Sequence, residues 1–465
     1  MAIPKRSSRD IDMLNGPVLR PYIAYAIPIM LSGFLQLLFN AADVVVVGRF
    51  AGDEALAAVG STGSLVTLFT NLFMGLSVGA NVAAARACGE GNPIKLSRVV
   101  HTSMLLSLIC GAVVMVLGVI FAPTFLRLMD TPPEVIDLAS VYLRIYFVGM
   151  LASMVYNFGA ALLRAIGDTK RPLTYLTIAG VANVVLNLIF VIVLHMSAAG
   201  VGLATAISQF ISAILVVICL MRSEGPIRFE PKKMRIYKSD LGLIVRIGLP
   251  AGIQGTVFSI SNVIIQSTIN SFGAIQVAGN SAGANLDGFV STGLSAFYQS
   301  TMSFTGQNYG ARKYGRIWKI LRTTVMCEIV IGIPAGFLVW FFGENLLHIY
   351  TESDAVVAAG MVRLTYVCLP FIIGGLMDCM VGTLRGIGCS LTPMIVSICG
   401  VCGVRLVWIA TICQMPQFVN DISAVYISYP ISWAATGIMH FICLMFNMKK
   451  LKQKAVDEGW DMSAA

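Results

Sequence analysis

The sequence predicts an all-α integral membrane protein: twelve transmembrane helices in two parallel six-helix repeats, an N-lobe and a C-lobe, around a central cavity. Three observations predict it. Of 465 residues, 57% are hydrophobic and only 12% are charged, against about 25% charged in a soluble domain. Twelve stretches are each long enough, at about 20 apolar residues, to cross a bilayer as a helix. The chain also resembles itself at an offset of 221 to 222 residues.

The spans fall at 20–47, 55–80, 100–125, 138–160, 172–194 and 200–221 in the N-lobe (20–221). A polar loop follows at 222–240. The C-lobe (241–446) carries spans at 243–271, 275–301, 317–342, 359–382, 393–413 and 424–446. Segments 1–19 and 447–465 read as the two tails. Lys and Arg concentrate in alternate connections, as cytoplasmic loops require. Arg49, Arg127, Arg144 and Arg363 fall on or near the other side, and Arg405 lies within a span. Both termini are then cytoplasmic in a bacterial plasma membrane, which demands an even number of spans. The repeat satisfies this. Leu163-Arg164-x-Ile166-Gly167 with Pro172 answers Leu384-Arg385-x-Ile387-Gly388 with Pro393. Pro28 answers Pro250, Asn40 answers Asn262 and Gly89 answers Gly310. Six spans per copy bring both copies in from the same side.

Composition excludes several functions. The net charge of +9 sits in loops and reports topology, so no nucleic-acid partner is expected. The eleven Cys lie mostly in apolar segments, with no CxxC and no Cys/His cluster, so no metal site is expected. No cleavable signal peptide is apparent. Gly75-Leu76-Ser77-Val78-Gly79 spells a nucleophile-elbow pattern, but inside a helix, not a strand–turn–helix. No HExxH, Walker A or dinucleotide fingerprint occurs. The chain is not expected to be an enzyme, to hold a cofactor, or to be driven directly by ATP.

The polar residues inside the spans carry the chemistry. In the first span Ser32, Gln36, Asn40 and Asp43 recur at helical spacing, within an arc of roughly 80°. A carboxylate flanked by apolar residues is costly in lipid and marks an ion or substrate path. A balancing role toward Arg49 is weaker, because six residues separate them and they do not share a face. Asn183 and Asn187 line span 5. In the C-lobe Ser259, Asn262, Gln266 and Asn270 share a face of span 7, and Asn280, Asp287, Ser291 and Ser295 a face of span 8. Asp378 lies in span 10, where the repeat puts Asn157 in span 4, and Arg405 lies in span 11. For the amides the competing reading is interhelical glue. For Asp287 and Asp378 it is an internal ion pair, with Arg405 the obvious partner. Phe39, Met74 and Phe258 are candidates to hold a substrate. Pro28 and Pro250 interrupt the corresponding helices and let them bend.

These residues carry a resemblance to multidrug and toxic compound extrusion (MATE) transporters of the bacterial branch, from Leu14 to the end of span 12. It rests on Pro28, Gln36, Asn40, Ala42-Asp43-Val44 and Gly48-Arg49-Phe50. Leu56-Ala57-Ala58-Val59-Gly60, Ala161-Leu162-Leu163-Arg164-Ala165-Ile166-Gly167-Asp168 and Ala204-Thr205-Ala206-Ile207-Ser208-Gln209 add to it. In the C-lobe Gly306-Gln307-Asn308-Tyr309-Gly310-Ala311 and Leu384-Arg385-Gly386 do the same. The resemblance implies a secondary active antiporter. It would export cationic or amphiphilic small molecules in exchange for H⁺ or Na⁺ by alternating access, with Asp43 the coupling carboxylate. The expected partners are organic cations and the lipid bilayer, and the expected state is a monomer. Two departures stand out. Some members have a second Asp in span 5, where this chain has Asn187, and others a Glu in span 7, where it has Phe258. A flippase for a lipid-linked oligosaccharide is the nearest rival. It would need a base-rich cavity, and Arg405 is the only base the sequence places inside a span.

Overall fold

The computed structural model of the chain describes residues 11–129, 131–419 and 421–463. Lys5, Arg6 and Arg9, whose charges favour a cytoplasmic N-terminus, lie outside them. Twelve helical rods follow one another among the described residues. They are α1 (Leu19–Phe50), α2 (Asp53–Gly89), α3 (Pro93–Leu128), α4 (Pro133–Ile166), α5 (Lys170–Val193) and α6 (Ser197–Arg222). Then come α7 (Lys238–Asn270), α8 (Ala274–Gly310), α9 (Tyr314–Phe341), α10 (Asp354–Gly386), α11 (Leu391–Gln414) and α12 (Ile422–Asp457). Eleven are long and apolar enough to span a membrane. The exception, α8, has 37 residues, but its apolar density is diluted by amides, hydroxyls and a carboxylate. Those groups turn inward: Asn280, Asp287, Ser300, Thr301 and Asn308 are all buried. Large apolar side chains such as Ile109, Val116, Ile120, Val181 and Val185 are exposed instead, as hydrocarbon permits. The chain is a multi-pass membrane protein.

Helix ends follow local chemistry. Asn92 caps α3 by accepting from the Lys95 amide at 3.0 Å, with Pro93 in the first turn. Asp421 caps α12 by accepting from the Ser423 amide at 2.9 Å. The loop expected at 222–240 contains two short 3₁₀ turns, Gly225–Ile227 and Pro231–Lys233. The tail expected from 447 is helical through Asp457, because Lys449 to Lys454 continue a strong helix-forming run.

The backbone repeats where the sequence does. Gly52 and Gly273 precede α2 and α8 with φ of 87° and 93°, and Gly167 and Gly388 follow α4 and α10 with φ of 107° and 85°. Each pair is 221 residues apart. So is the turn after α2 and α8, where Gly91 has φ 66° and Arg312 has φ 58°. Only glycine enters this left-handed region freely.

The chain divides into two compact units: Met1–Asp12 with Leu31–Gly252, and Met13–Met30 with Ile253–Ala465. The division differs from the expected lobes of 20–221 and 241–446. It falls inside α1 and α7, two residues past Pro28 and Pro250, at the same offset of 222 in both. The physical reason is visible in each unit. In the first, α2 and the first half of α7 meet backbone to backbone: a Cβ on Gly75 would lie 2.1 Å from the Gly252 amide, and one on Gly79 would lie 2.1 Å from the Ile244 carbonyl. In the second, Tyr22 donates to the Phe297 carbonyl at 2.9 Å. Arg316 is buried and donates to the carbonyls of Met13 (3.2 Å), Asn15 (3.1 Å) and Gly16 (2.7 Å). These bonds anchor the first half of α1 to the second unit.

The glycine seam yields a prediction. Gly75→Leu should lower stability by at least about 1–3 kcal/mol, because backbone cannot step aside as a side chain can. Gly60→Leu, where no atom lies within 4 Å of the added Cβ, should change it by no more than about 0.5 kcal/mol. Thermal unfolding of the detergent-purified protein, followed by Trp fluorescence, distinguishes the two.

Candidate functional site

Asp43 sits on the second half of α1, in the first unit, and is partly buried. The Asn187 amide donates to its Oδ1 at 2.5 Å. Asn187 also donates to Asn183 Oδ1 at 3.3 Å, and Asn183 donates to Thr205 Oγ1 at 3.4 Å. Asn183 and Asn187 are one helical turn apart on α5, both buried, so a single face of α5 presents one amide to α1 and the next to α6. Of the five residues expected at this site from α1 and α5, three are brought together: Asp43, Asn183 and Asn187. Thr205 on α6 ends the chain as the acceptor from Asn183. Gln36 and Asn40 do not join it. Both are exposed along α1 and make no hydrogen bond. Phe39 has a packing role: a Cβ on Gly180 would lie 1.8 Å from its Cε2, so the ring rests where α5 has no side chain. Met74 is half-buried against the Leu65, Val114 and Phe147 cluster.

The second unit holds a denser polar interior. Asp287 forms an ion pair, but not with Arg405. Arg363 Nη2 lies 2.8 Å from Asp287 Oδ2, and Arg363 Nε donates to the same oxygen at 2.9 Å. Its Nη1 donates to Asn280 Oδ1 at 2.7 Å, which also accepts from the Tyr426 hydroxyl at 3.1 Å. Asn280 donates to Gln266 at 3.0 Å, and Gln266 to Asn270 at 2.9 Å. Arg363, read from the sequence only as a base on or near the outer side, is 8% exposed and paired within the protein. Counting bases by loop treats an arginine near a predicted span end as solvated, and here the helix extends past it. Arg385 is also buried, donating to Gln254 at 2.9 Å and to the Tyr298 hydroxyl. Arg405 is therefore not the only base inside a span.

Below this network lies a cavity of about 270 Å³. Arg363, Arg405, Asp378 and Asn262 line it together with Phe258, Phe371, Tyr429 and Trp433. Arg405 lies over the Tyr429 ring at 4.0 Å and near Trp433 at 5.4 Å, and donates to Ser432 at 2.8 Å. Asp378 and Arg405 form no ion pair with each other. One acid escaped the sequence reading. Glu328 on α9 is fully buried, accepts from the Cys379 thiol at 3.4 Å, and keeps Oε2 without a partner. Its signal was present: Met326 to Gly332 is apolar apart from this one acid, as the flanks of Asp43 are.

Four rods contain a π-turn: Leu188–Val193, Glu328–Gly332, Leu364–Cys368 and Ile398–Gly403. Asn187 and Arg363 immediately precede two of them, Glu328 opens a third, and Arg405 follows the fourth by two residues. A π-turn shifts side-chain register along a helix and recurs at functional sites. Here it aims polar groups inward from rods that are otherwise apolar.

A family model described as MatE matches residues 28–189 and again 250–411. The chain belongs to the MatE family. The two matched segments start 222 residues apart, as the internal repeat does. Among similar proteins, the Probable multidrug resistance protein YoeA of Bacillus subtilis (strain 168) is 26% identical over 93% of this chain and 95% of its own length. The Probable multidrug resistance protein NorM of Thermotoga maritima is 24% identical over 83% of each. A solved structure described as "Crystal structure of MATE in the bent conformation" has a TM-score of 0.89 at 21% identity. It covers 97% of this chain and 100% of that one. The fold is that of MATE proteins.

The ion pair supplies a double-mutant test. Arg363→Met should destabilise by about 3–5 kcal/mol, since it strands a buried carboxylate, and Asp287→Leu alone should do likewise. The double variant should recover most of that loss. Chemical denaturation of the four proteins in one detergent measures the coupling.

Proposed function

We propose that this protein is a secondary active antiporter that exports cationic or amphiphilic small molecules in exchange for H⁺ or Na⁺ by alternating access. The observation that carries the proposal is the Asp43–Asn187–Asn183–Thr205 chain. It couples a titratable group on α1 to amides and a hydroxyl on α5 and α6. Membership in the family and the multidrug resistance names of the relatives from Bacillus subtilis and Thermotoga maritima support the same reading.

In this reading Asp43 is the coupling group. As a carboxylate it accepts from Asn187 and can attract a bound cation. A proton arriving from the outer side removes the charge, and with it the hold on a cation and part of the grip on α5. Neutral α1 can then repack, with Pro28 supplying a position where the helix lacks a hydrogen bond and can bend. Release of the proton to the cytoplasm resets the site. A Na⁺ ion would instead sit on Asp43 with the side-chain oxygens of Asn183 and Asn187. For an uncharged amphiphile, one ion entering through 100 mV supplies about 2.3 kcal/mol, which sustains about a 40-fold substrate gradient; one-for-one exchange with a monovalent cation is electroneutral and draws on the concentration gradient of the ion alone. For the uncharged substrate one coupling site therefore suffices for useful efflux. Both termini are assigned to the cytoplasm from the loop charges. The flippase alternative gains little from the extra arginines. Of the cations lining the cavity, Arg363 is neutralised by Asp287, and one unpaired guanidinium does not make a pyrophosphate site.

Uptake of a fluorescent organic cation into inverted vesicles tests the proposal, with a pH gradient or a Na⁺ gradient imposed separately. Wild type should accumulate the dye with at least one gradient, and Asp43→Asn should abolish that. Equal transport by the variant would overturn the role of Asp43. Uptake driven only by Na⁺ would make Asp43 a Na⁺ ligand and not a proton carrier.

A further inference from the structure

The cavity of the second unit presents two opposite charges that do not meet. Arg405 is 5% exposed and its Nη2 has no hydrogen-bond partner. Its Nε is spent on Ser432 and its face on Tyr429 and Trp433, so the open part of the guanidinium is an N–H edge. The other lining cation, Arg363, is fully engaged by Asp287 and Asn280. Asp378 lines the same cavity and makes no hydrogen bond or ion pair; the Arg385 guanidinium acts on it only through space. The two charges are farther apart than the 4 Å of an ion pair.

A buried guanidinium with an open N–H edge is costly unless an anion answers it. A carboxylate fits best, because planar oxygens match the guanidinium fork. A carboxylate that borders a cavity without a direct hydrogen bond or ion pair is likewise complemented by an ammonium. Between them stand aromatic walls: Phe258, Phe371, Tyr429 and Trp433. Flat apolar groups pack on such walls, and an ammonium gains from their π faces as well. The volume of about 270 Å³ sits at the small end of ligand pockets, enough for one ring with short polar arms.

We propose that this cavity is a binding site for small aromatic zwitterions, with the ligand carboxylate on Arg405 and its ammonium on Asp378. The site is separate from Asp43 and widens the substrate class beyond the cations proposed above. Binding is measured without transport, so the zwitterion site and the antiport reading can fail independently. The ligand completes an ion pair that the protein leaves open. A purely cationic ligand would bring Arg405 a like charge, and a purely anionic one would do the same to Asp378.

The test is calorimetric titration of the purified full-length protein in lipid nanodiscs with three matched probes. These are 4-(2-aminoethyl)benzoate, 4-ethylbenzoate, which lacks the ammonium, and 2-(4-methylphenyl)ethylamine, which lacks the carboxylate. In wild type the zwitterion should bind at least about ten-fold more tightly than either analogue, the loss of one charge-assisted contact being of that order. Arg405→Gln should erase the advantage of the zwitterion over the amine, and Asp378→Asn its advantage over the benzoate. Arg405→Lys should restore part of the first, since it keeps the charge and loses the fork. Thermal melting separates a lost site from a lost fold, and the wild-type probe order stands as a test even if a variant fails to fold. If either single-charge analogue binds wild type as tightly as the zwitterion, or if the zwitterion does not bind, the assignment is wrong. The same holds if folded Arg405→Gln keeps the wild-type preference.

Discussion

A polar group inside a hydrocarbon slab has to be answered by the protein itself, because lipid offers no hydrogen bonds. The interior of this chain is organised by that demand. Asp43 is met by Asn187, Asn187 by Asn183, and Asn183 by Thr205. Asp287 is met by Arg363 and Asn280, and Asn280 by Tyr426 and Gln266. Each chain of bonds crosses helices that would otherwise have only dispersion and close approach to hold them. Where the answering stops, at Asp378, Glu328 and the open edge of Arg405, the molecule keeps its capacity for chemistry. A transporter must be stable in lipid and yet take up solutes, and this division of its polar groups serves both needs.

The two halves share a plan and differ in content. The first unit carries one acid on α1 with amides of α5 beside it. The second has no acid at the matching register of α7 and keeps its charges on α8, α9, α10 and α11. The repeat therefore duplicates a scaffold of rods and turns, while the polar groups have been placed separately in each copy. Two different sites in one molecule follow naturally from this.

Much of this was legible beforehand. Hydropathy located the rods, and the 221-residue offset announced the repeat that Gly52 and Gly273, or Gly167 and Gly388, realise in the backbone. Asp43 with Asn183 and Asn187 was legible too, because a lone carboxylate in an apolar run and two amides one turn apart are local patterns. Pairings between distant helices were not. Arg363 reads locally as a base near a span end, and only the extension of α10 buries it beside Asp287. Gln36 and Asn40 share the stripe of Asp43 by periodicity, yet periodicity fixes a face and not what that face meets. The π-turns are likewise invisible in the sequence pattern, though they decide where Asn187, Glu328 and Arg405 point. The unit boundary inside α1 and α7 could not be read from loop composition, because a helix can pass between two bodies without a break.

The turn after α2 and the turn after α8 are the same bend made by different residues, Gly91 in one and Arg312 in the other. A side chain in the left-handed region costs about 1–2 kcal/mol, a cost the first copy avoids. The second copy gains something in return. The Arg312 carbonyl accepts from the Asp461 amide at 2.9 Å, and the neighbouring Lys313 ammonium donates to the Leu14 carbonyl at 2.8 Å. The strained bend has become a clasp that holds Leu14 and Asp461 together within the second unit. Two copies of one turn have thus parted in duty: the first remains a connector, and the second also binds segments distant in the sequence.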